Sequence, residues 1–278
     1  MIDYEAEYNN CTRVPEAAAI VDRWDREAMA YRGEARRAGR AELGLSYGTT
    51  ERQIVDLFRP ASGDGAALAV LVPGEDWRTG APSTFSHMAR GLNAHGVAVA
   101  VIGYDLCPRV RLGDIVRQVR QACLFLWWRY GQRMLTIGHS AGGHLAACLV
   151  ASEWGAVESG APDDLVGSGL AVSGIFDLAP LLNTSLNADL RLAPQEAERL
   201  SPVRWPIAAG RSFDVVVGAG ESSEFRRQSR ALAETWAARG VDVRHAEVPG
   251  ADHFTVLHPL SDPASEMVAR LVARAEAL

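Results

Sequence analysis

Two hydrophobic rhythms alternate along the chain. Short unbroken apolar runs at 66–72 and 97–103 are what a strand buried on both faces produces, and 53–57 shows the in-out alternation of a strand. Longer stretches repeat apolar residues every three or four positions, as Ile115, Val119, Ala122 and Leu126 do, which predicts a helix from Asp114 to Gly131. The same reading predicts helices over 15–41, 83–95, 140–152 and 224–239, and a last helix opened by Asp262 and Pro263. Further strands are expected at 134–137, 170–173, 213–217 and 241–248. Between 181 and 206 the rhythm gives way to polar, proline-punctuated sequence, as an insertion over strand ends would.

Strands that alternate with helices imply a mostly parallel sheet covered on both faces, the α/β class. The chain reads as one domain over 1–278, with an arm or lid at 1–50 and a core at 51–278 that carries the cap-like insertion. Ligands in such sheets bind at the carboxyl ends of the strands, so the loops there are where chemistry is sought.

One of those loops holds Gly138-His139-Ser140-Ala141-Gly142, a G-x-S-x-G pattern between a predicted strand and a predicted helix. A serine there sits on a tight turn with Oγ projecting into the site. The helix N-terminus behind it offers N–H groups where an oxyanion would form, starting with Ala141. Such a nucleophile needs a base, and His253 lies in a loop just after the last strand, within reach across the strand ends. His245 falls inside that strand, His258 lies beyond the loop, and His87 and His95 belong to the early helix. His139 and His144 flank the serine and are expected to shape its pocket. The orienting acid should follow the penultimate strand, where Glu221 comes first after a glycine turn. Glu224 is the alternative, with a competing role as a first-turn helix residue.

These residues resemble the α/β-hydrolase kynurenine formamidases (arylformamidases) and their esterase-like relatives. The likeness runs from Tyr8-Asn9-Asn10 through Tyr104-Asp105-Leu106-Cys107-Pro108, the serine loop, Ser173-Gly174-Ile175-Phe176-Asp177-Leu178 and Asp252-His253-Phe254. What the resemblance implies is an α/β-hydrolase fold and hydrolysis of N-formylkynurenine to kynurenine and formate by Ser140, Glu221 and His253, with no metal or organic cofactor. The chain departs from that family in one loop. Where the family carries His-Gly-Gly-x-Trp, it has Pro73-Gly74-Glu75-Asp76-Trp77. The N–H groups of Glu75 and Asp76 would join Ala141 in the oxyanion hole, provided neither position requires positive φ. Their carboxylates would oppose a developing oxyanion unless they point away or bind a cationic group of the substrate. Trp77, Tyr104 and His139 are expected to line the substrate pocket, the two aromatics as a stacking platform.

Composition narrows the chemistry further. The 28 Lys+Arg residues are all arginine, which excludes Schiff-base enzymes, Walker-type phosphate loops and Ser-Lys dyads. It also leaves His253 alone to take the serine's proton, since arginine is too basic to do so. A net charge of −6, a pI near 5.7 and a mean hydropathy of −0.03 suit a globular enzyme with no nucleic acid or membrane partner. A small aromatic substrate is the expected ligand, and a homodimer stands among the assemblies open to it. With an acidic, polar start and four scattered cysteines read as reduced and at least partly buried, the expected compartment is the cytosol. Two other readings remain open. One is an esterase or amidase for small aryl or acyl substrates; the other is a ligand-binding protein weakened in catalysis by the altered loop.

Overall fold

The computed structural model describes residues 2–63, 67–74 and 76–278. Eight strands form one sheet in the order β1-β2-β4-β3-β5-β6-β7-β8. They are β1 Ala41–Ser46, β2 Ile54–Phe58, β3 Ala67–Val72, β4 Val97–Ile102, β5 Met134–His139, β6 Val166–Val172, β7 Ser212–Gly218 and β8 Asp242–Val248. β2 pairs antiparallel with β1 and β4, and every other pairing is parallel. Parallel neighbours need a crossover between them, which the helices supply, and parallel pairing brings the carboxyl ends of β3, β5, β6, β7 and β8 to one edge.

The unbroken apolar runs of β3 and β4 follow from burial on both faces. Leu68, Val70, Val72, Ala98, Ala100 and Ile102 enter one hydrophobic cluster, while Ala69, Leu71, Val97, Val99 and Val101 enter the other. The helices divide accordingly. Before β2 the chain forms α1 Tyr4–Tyr8, α2 Asn10–Arg13 and α3 Ala17–Arg37; α4 Ala89–Ala94 precedes β4, and α5 Leu112–Tyr130 precedes β5. Then come α6 Ala141–Val150, α7 Trp154–Val157, α8 Asn187–Leu190, α9 Pro194–Arg199, α10 Ser223–Ala237 and α11 Glu266–Glu276. α5, α6 and α10 cover the first face, α3, α4 and α11 the second.

Several boundaries differ from the sequence expectation, each for a local reason. The first long helix stops at Arg37, and Gly39 with φ 67° turns the chain into β1, an edge strand absent from the expectation. Its mostly half-buried residues carry little periodic signal; the Asp56 carboxylate holds it instead, accepting the Gly44 N–H at 2.8 Å. The segment expected as a helix over 83–95 is a 3-10 turn, Pro82–Met88, followed by α4. The last helix starts at Glu266, capped by Ser265, whose Oγ accepts the Val268 N–H at 3.1 Å. Asp262 makes a turn of its own by accepting from Ala264 N.

The arm is a strap. Glu5 accepts from both N and Oγ of Ser185 in the insertion at 2.7 Å, and Glu7 accepts from Ser223 Oγ and Glu224 N at 2.7 and 2.8 Å. Tyr8 donates its hydroxyl to Glu224 at 3.0 Å. Among the described residues no helix is long and apolar enough to cross a membrane.

Candidate active site

Ser140 stands between β5 and α6 with φ 53° and ψ −119°, a conformation that costs roughly 1–3 kcal/mol at a non-glycine residue. The glycines around it permit the turn. A Cβ on Gly142 would lie 2.0 Å from the Val72 carbonyl oxygen, and one on Gly138 would lie 2.0 Å from that of Gly142. Ala141 opens α6, where the N–H of a first helical residue has no partner inside the helix.

The turn after β7 places Glu221, and the loop after β8 places His253. His253 Nδ1 lies 2.7 Å from Glu221 Oε2. With Nδ1–H given to the carboxylate, Nε2 of the neutral ring is left as an acceptor. The other carboxylate oxygen accepts from Gly218 N at 2.7 Å and from Ser173 Oγ at 2.5 Å. Glu221 is thereby pinned at both oxygens. Ser173 is fully buried at the end of β6 with φ 53°, and it is a site residue that the sequence reading missed. A serine after a strand carries no signal of what it faces, so only the fold could bring it 48 residues along the chain to Glu221. Glu224, the alternative acid, faces elsewhere and is engaged by Tyr8 and by Arg227 at 2.6 and 2.8 Å.

Ser140 and His253 line one cavity of about 530 Å³. Among the described residues no hydrogen bond joins their side chains. His139 lies beside them, its ring 4.8 Å from that of His253, and its Nε2 donates to the His253 carbonyl at 2.7 Å. Burial, and secondarily the neighbouring His253, push the His139 ring down to about 3. It is therefore neutral near pH 7 and serves to brace the loop.

The aromatic wall is not the expected one. Trp24 of α3 packs at 5.7 Å from Phe85 and 6.2 Å from Phe254, and all three line the cavity. Trp77 and Tyr104 lie outside the lining. Trp77 is fully buried edge-on against His144 at 5.3 Å, and Tyr104 donates to the Pro73 carbonyl at 2.7 Å. Both sit beneath the loop, where large rings fill the space over the strand ends, so they support the loop. His144 is buried too, bonded to the Leu200 carbonyl at 2.8 Å, and burial pushes it down to about 4. Cys11 is exposed on α2 at the cavity, contrary to the burial expected of it; Cys107, Cys123 and Cys148 are buried free thiols.

In the departing loop, Gly74 approaches the elbow so closely that a Cβ would lie 2.6 Å from the His139 carbonyl oxygen. Asp76 and Trp77 both have positive φ, 58° and 57°. The condition that the loop avoid this region is therefore not met at position 76, which instead holds a residue type that tolerates it. Glu75, the other candidate oxyanion donor in this loop, lies outside the described residues. The Asp76 side chain lines the cavity with 39% of its surface exposed, 3.8 Å from Arg78, which in turn holds Asp189 at 2.8 Å. Burial raises the Asp76 carboxyl above its ordinary value, while His253 and Arg78 pull it back. Among the described residues no three His, Cys, Asp or Glu side chains converge so as to hold a metal ion.

A sheet with a strained serine after β5, a carboxylate turn after β7 and a histidine loop after β8 defines the α/β-hydrolase fold. Solved structures share it. A putative thioesterase from Silicibacter sp. TM1040 superposes with a TM-score of 0.87 at 33% identity, covering 97% of this chain and 98% of the other. An esterase from Pyrobaculum calidifontis shares the fold at a TM-score of 0.70 and 18% identity, over 94% and 93% of the two chains. No protein-family model matches the sequence. The kynurenine formamidase of Salmo salar is 32% identical over 244 residues, 83% of this chain and 81% of its own, and that of Drosophila melanogaster is 30% identical over 77% and 74%. The chain belongs to the kynurenine formamidase family.

Proposed function

We propose that this protein is a serine hydrolase that cleaves aryl formamides of the N-formylkynurenine type through an acyl-enzyme, a step of tryptophan catabolism. The observation that carries the reading is the Glu221–His253 pair at 2.7 Å, with Ser140 on its strained turn lining the same cavity. Ser140 Oγ attacks the formyl carbon while His253 Nε2 takes its proton. The oxyanion that forms is met by the Ala141 N–H and the loop over Gly74 and Asp76. The C–N bond then breaks, with the imidazolium giving its proton to the departing aryl amine. Water attacks the formyl ester, again losing a proton to His253, and formate leaves as Ser140 regains its hydrogen. Glu221 orients the ring and stabilises its cation in both halves.

Trp24, Phe85 and Phe254 offer the aromatic surface that an aryl group needs. The test is turnover of N-formylkynurenine by the purified protein and by Ser140→Ala. Undiminished activity in the variant overturns the mechanism. A second reading, a small-ester hydrolase, is favoured by the altered loop at Asp76. Turnover of p-nitrophenyl acetate far above that of N-formylkynurenine would select it.

A further inference from the structure

The charges around the cavity do not balance, and the imbalance lies beside the reacting atoms. Among the described residues that line it, Glu5 and Asp76 carry carboxylates and Arg78 is the one guanidinium. Arg78 is drawn toward Asp189 at 2.8 Å, closer than its 3.8 Å to Asp76. Glu5 is fully engaged at the mouth, accepting from Ser185 N and Oγ at 2.7 Å. Asp76 faces the cavity with no hydrogen-bonded cation, only Arg78 at 3.8 Å and the His253 ring to offset it, in the loop that approaches the elbow at Gly74. A carboxylate in that place opposes the negative charge that develops on the carbonyl oxygen during attack, and the low dielectric of a closed site enlarges the opposition. A substrate that brings its own positive charge against Asp76 removes the opposition and gains an ion pair.

We propose that Asp76 is a specificity-determining residue that makes the site select substrates carrying a cationic group near the scissile carbonyl. The inference rests on the serine-hydrolase reading and adds a charge requirement to it. Burial raises the proton affinity of the Asp76 carboxyl and His253 and Arg78 offset it only in part, which agrees with a group that lacks a full counter-charge.

Two matched pairs of esters test this at low ionic strength. In the first, the charge is on the acyl side: 4-nitrophenyl 4-(trimethylammonio)butyrate against its neutral isostere, 4-nitrophenyl 5,5-dimethylhexanoate. In the second, it is on the leaving group: 3-(trimethylammonio)phenyl acetate against 3-tert-butylphenyl acetate. The expected result is a cation-to-neutral ratio of kcat/KM of about tenfold or more in at least one pair, collapsing toward one in Asp76→Asn. Asparagine tolerates positive φ as aspartate does, so the variant keeps the backbone and its N–H while losing the charge. Its kcat/KM on the neutral esters should rise. Ratios at or below one for the wild type in both pairs, or a preference that survives in Asp76→Asn, overturn the proposal and leave the hydrolase reading standing. Failure of the wild type to hydrolyse any of the four esters, with no labelling of Ser140 by a fluorophosphonate, overturns both.

Discussion

Two loops meet over Ser140, and they hold their shapes by different means. In the elbow, atoms approach so closely that only glycine fits, and Gly142 has no room for a methyl group beside the Val72 carbonyl. In the facing loop, Asp76 and Trp77 take up positive φ without being glycine, and the surrounding structure pays the strain. Trp77 is locked against His144, and Tyr104 holds the Pro73 carbonyl from below. The elbow is constrained throughout by steric exclusion; the opposite loop is constrained in that way at Gly74, and at Asp76 and Trp77 by what packs beneath it. Exclusion fixes the residue type at each position; support from below leaves the side chain free to vary, and a charge can enter.

The largest effect expected falls on the elbow side. Ser140→Ala and His253→Ala should each lower kcat by about 10⁴ or more, measured on N-formylkynurenine. With no lysine in the chain, His253 has no substitute as base, so the two losses should be similar. Next, Gly142→Ala should cost about 2–3 kcal/mol in urea unfolding, since its new Cβ would lie 2.0 Å from a backbone oxygen. Asp76→Asn should change stability by no more than about 0.5 kcal/mol. Equal costs at the two positions would break the comparison between the loops.

Ser173→Ala should follow, with kcat down about 10–100-fold at unchanged KM, the range set by losing one hydrogen bond to a carboxylate. An unchanged melting temperature would separate this positioning role from a structural one. The last effect concerns pH. His87, His139 and His144 are pushed down by burial to about 4, 3 and 4, so the folded protein keeps them neutral while the unfolded chain takes up protons near 6.5. Each contributes stability that is complete above that value and declines, by up to about 1.4 kcal/mol per pH unit, as pH falls toward 4. His144→Gln, read by thermal unfolding across pH 4–8, should flatten part of that slope.

The elements that sequence alone resolves are those whose pattern is produced locally. β3 and β4 read as buried strands because both faces are covered, and Gly138-His139-Ser140-Ala141-Gly142 reads as an elbow because strand and helix flank it. What escapes is made by tertiary contact. β1 has only half-buried and exposed residues and thus no apolar face for a pattern to mark. Ser173 acquires its meaning from Glu221, far along the chain. Trp77 and Tyr104 lie at strand ends as expected, but whether a ring at such a place faces the cavity or fills the space beneath the loop depends on the loop above it. The wall came instead from Trp24, a residue of an amphipathic helix whose docking partner, Phe254, is known only once the fold is closed.

That closure has a consequence for the nascent polypeptide. Tyr8 reaches Glu224, 216 residues further on, and Trp24 rests on Phe254. A chain emerging from the ribosome thus exposes Ser140 well before Glu221, His253 and the finished pocket wall. Trp24 can meet Phe85 early, but its contact with Phe254 and the docking of α1 through Tyr8 must wait until the last third is made. Any activity that needs the Glu221–His253 pair should therefore appear late and all at once.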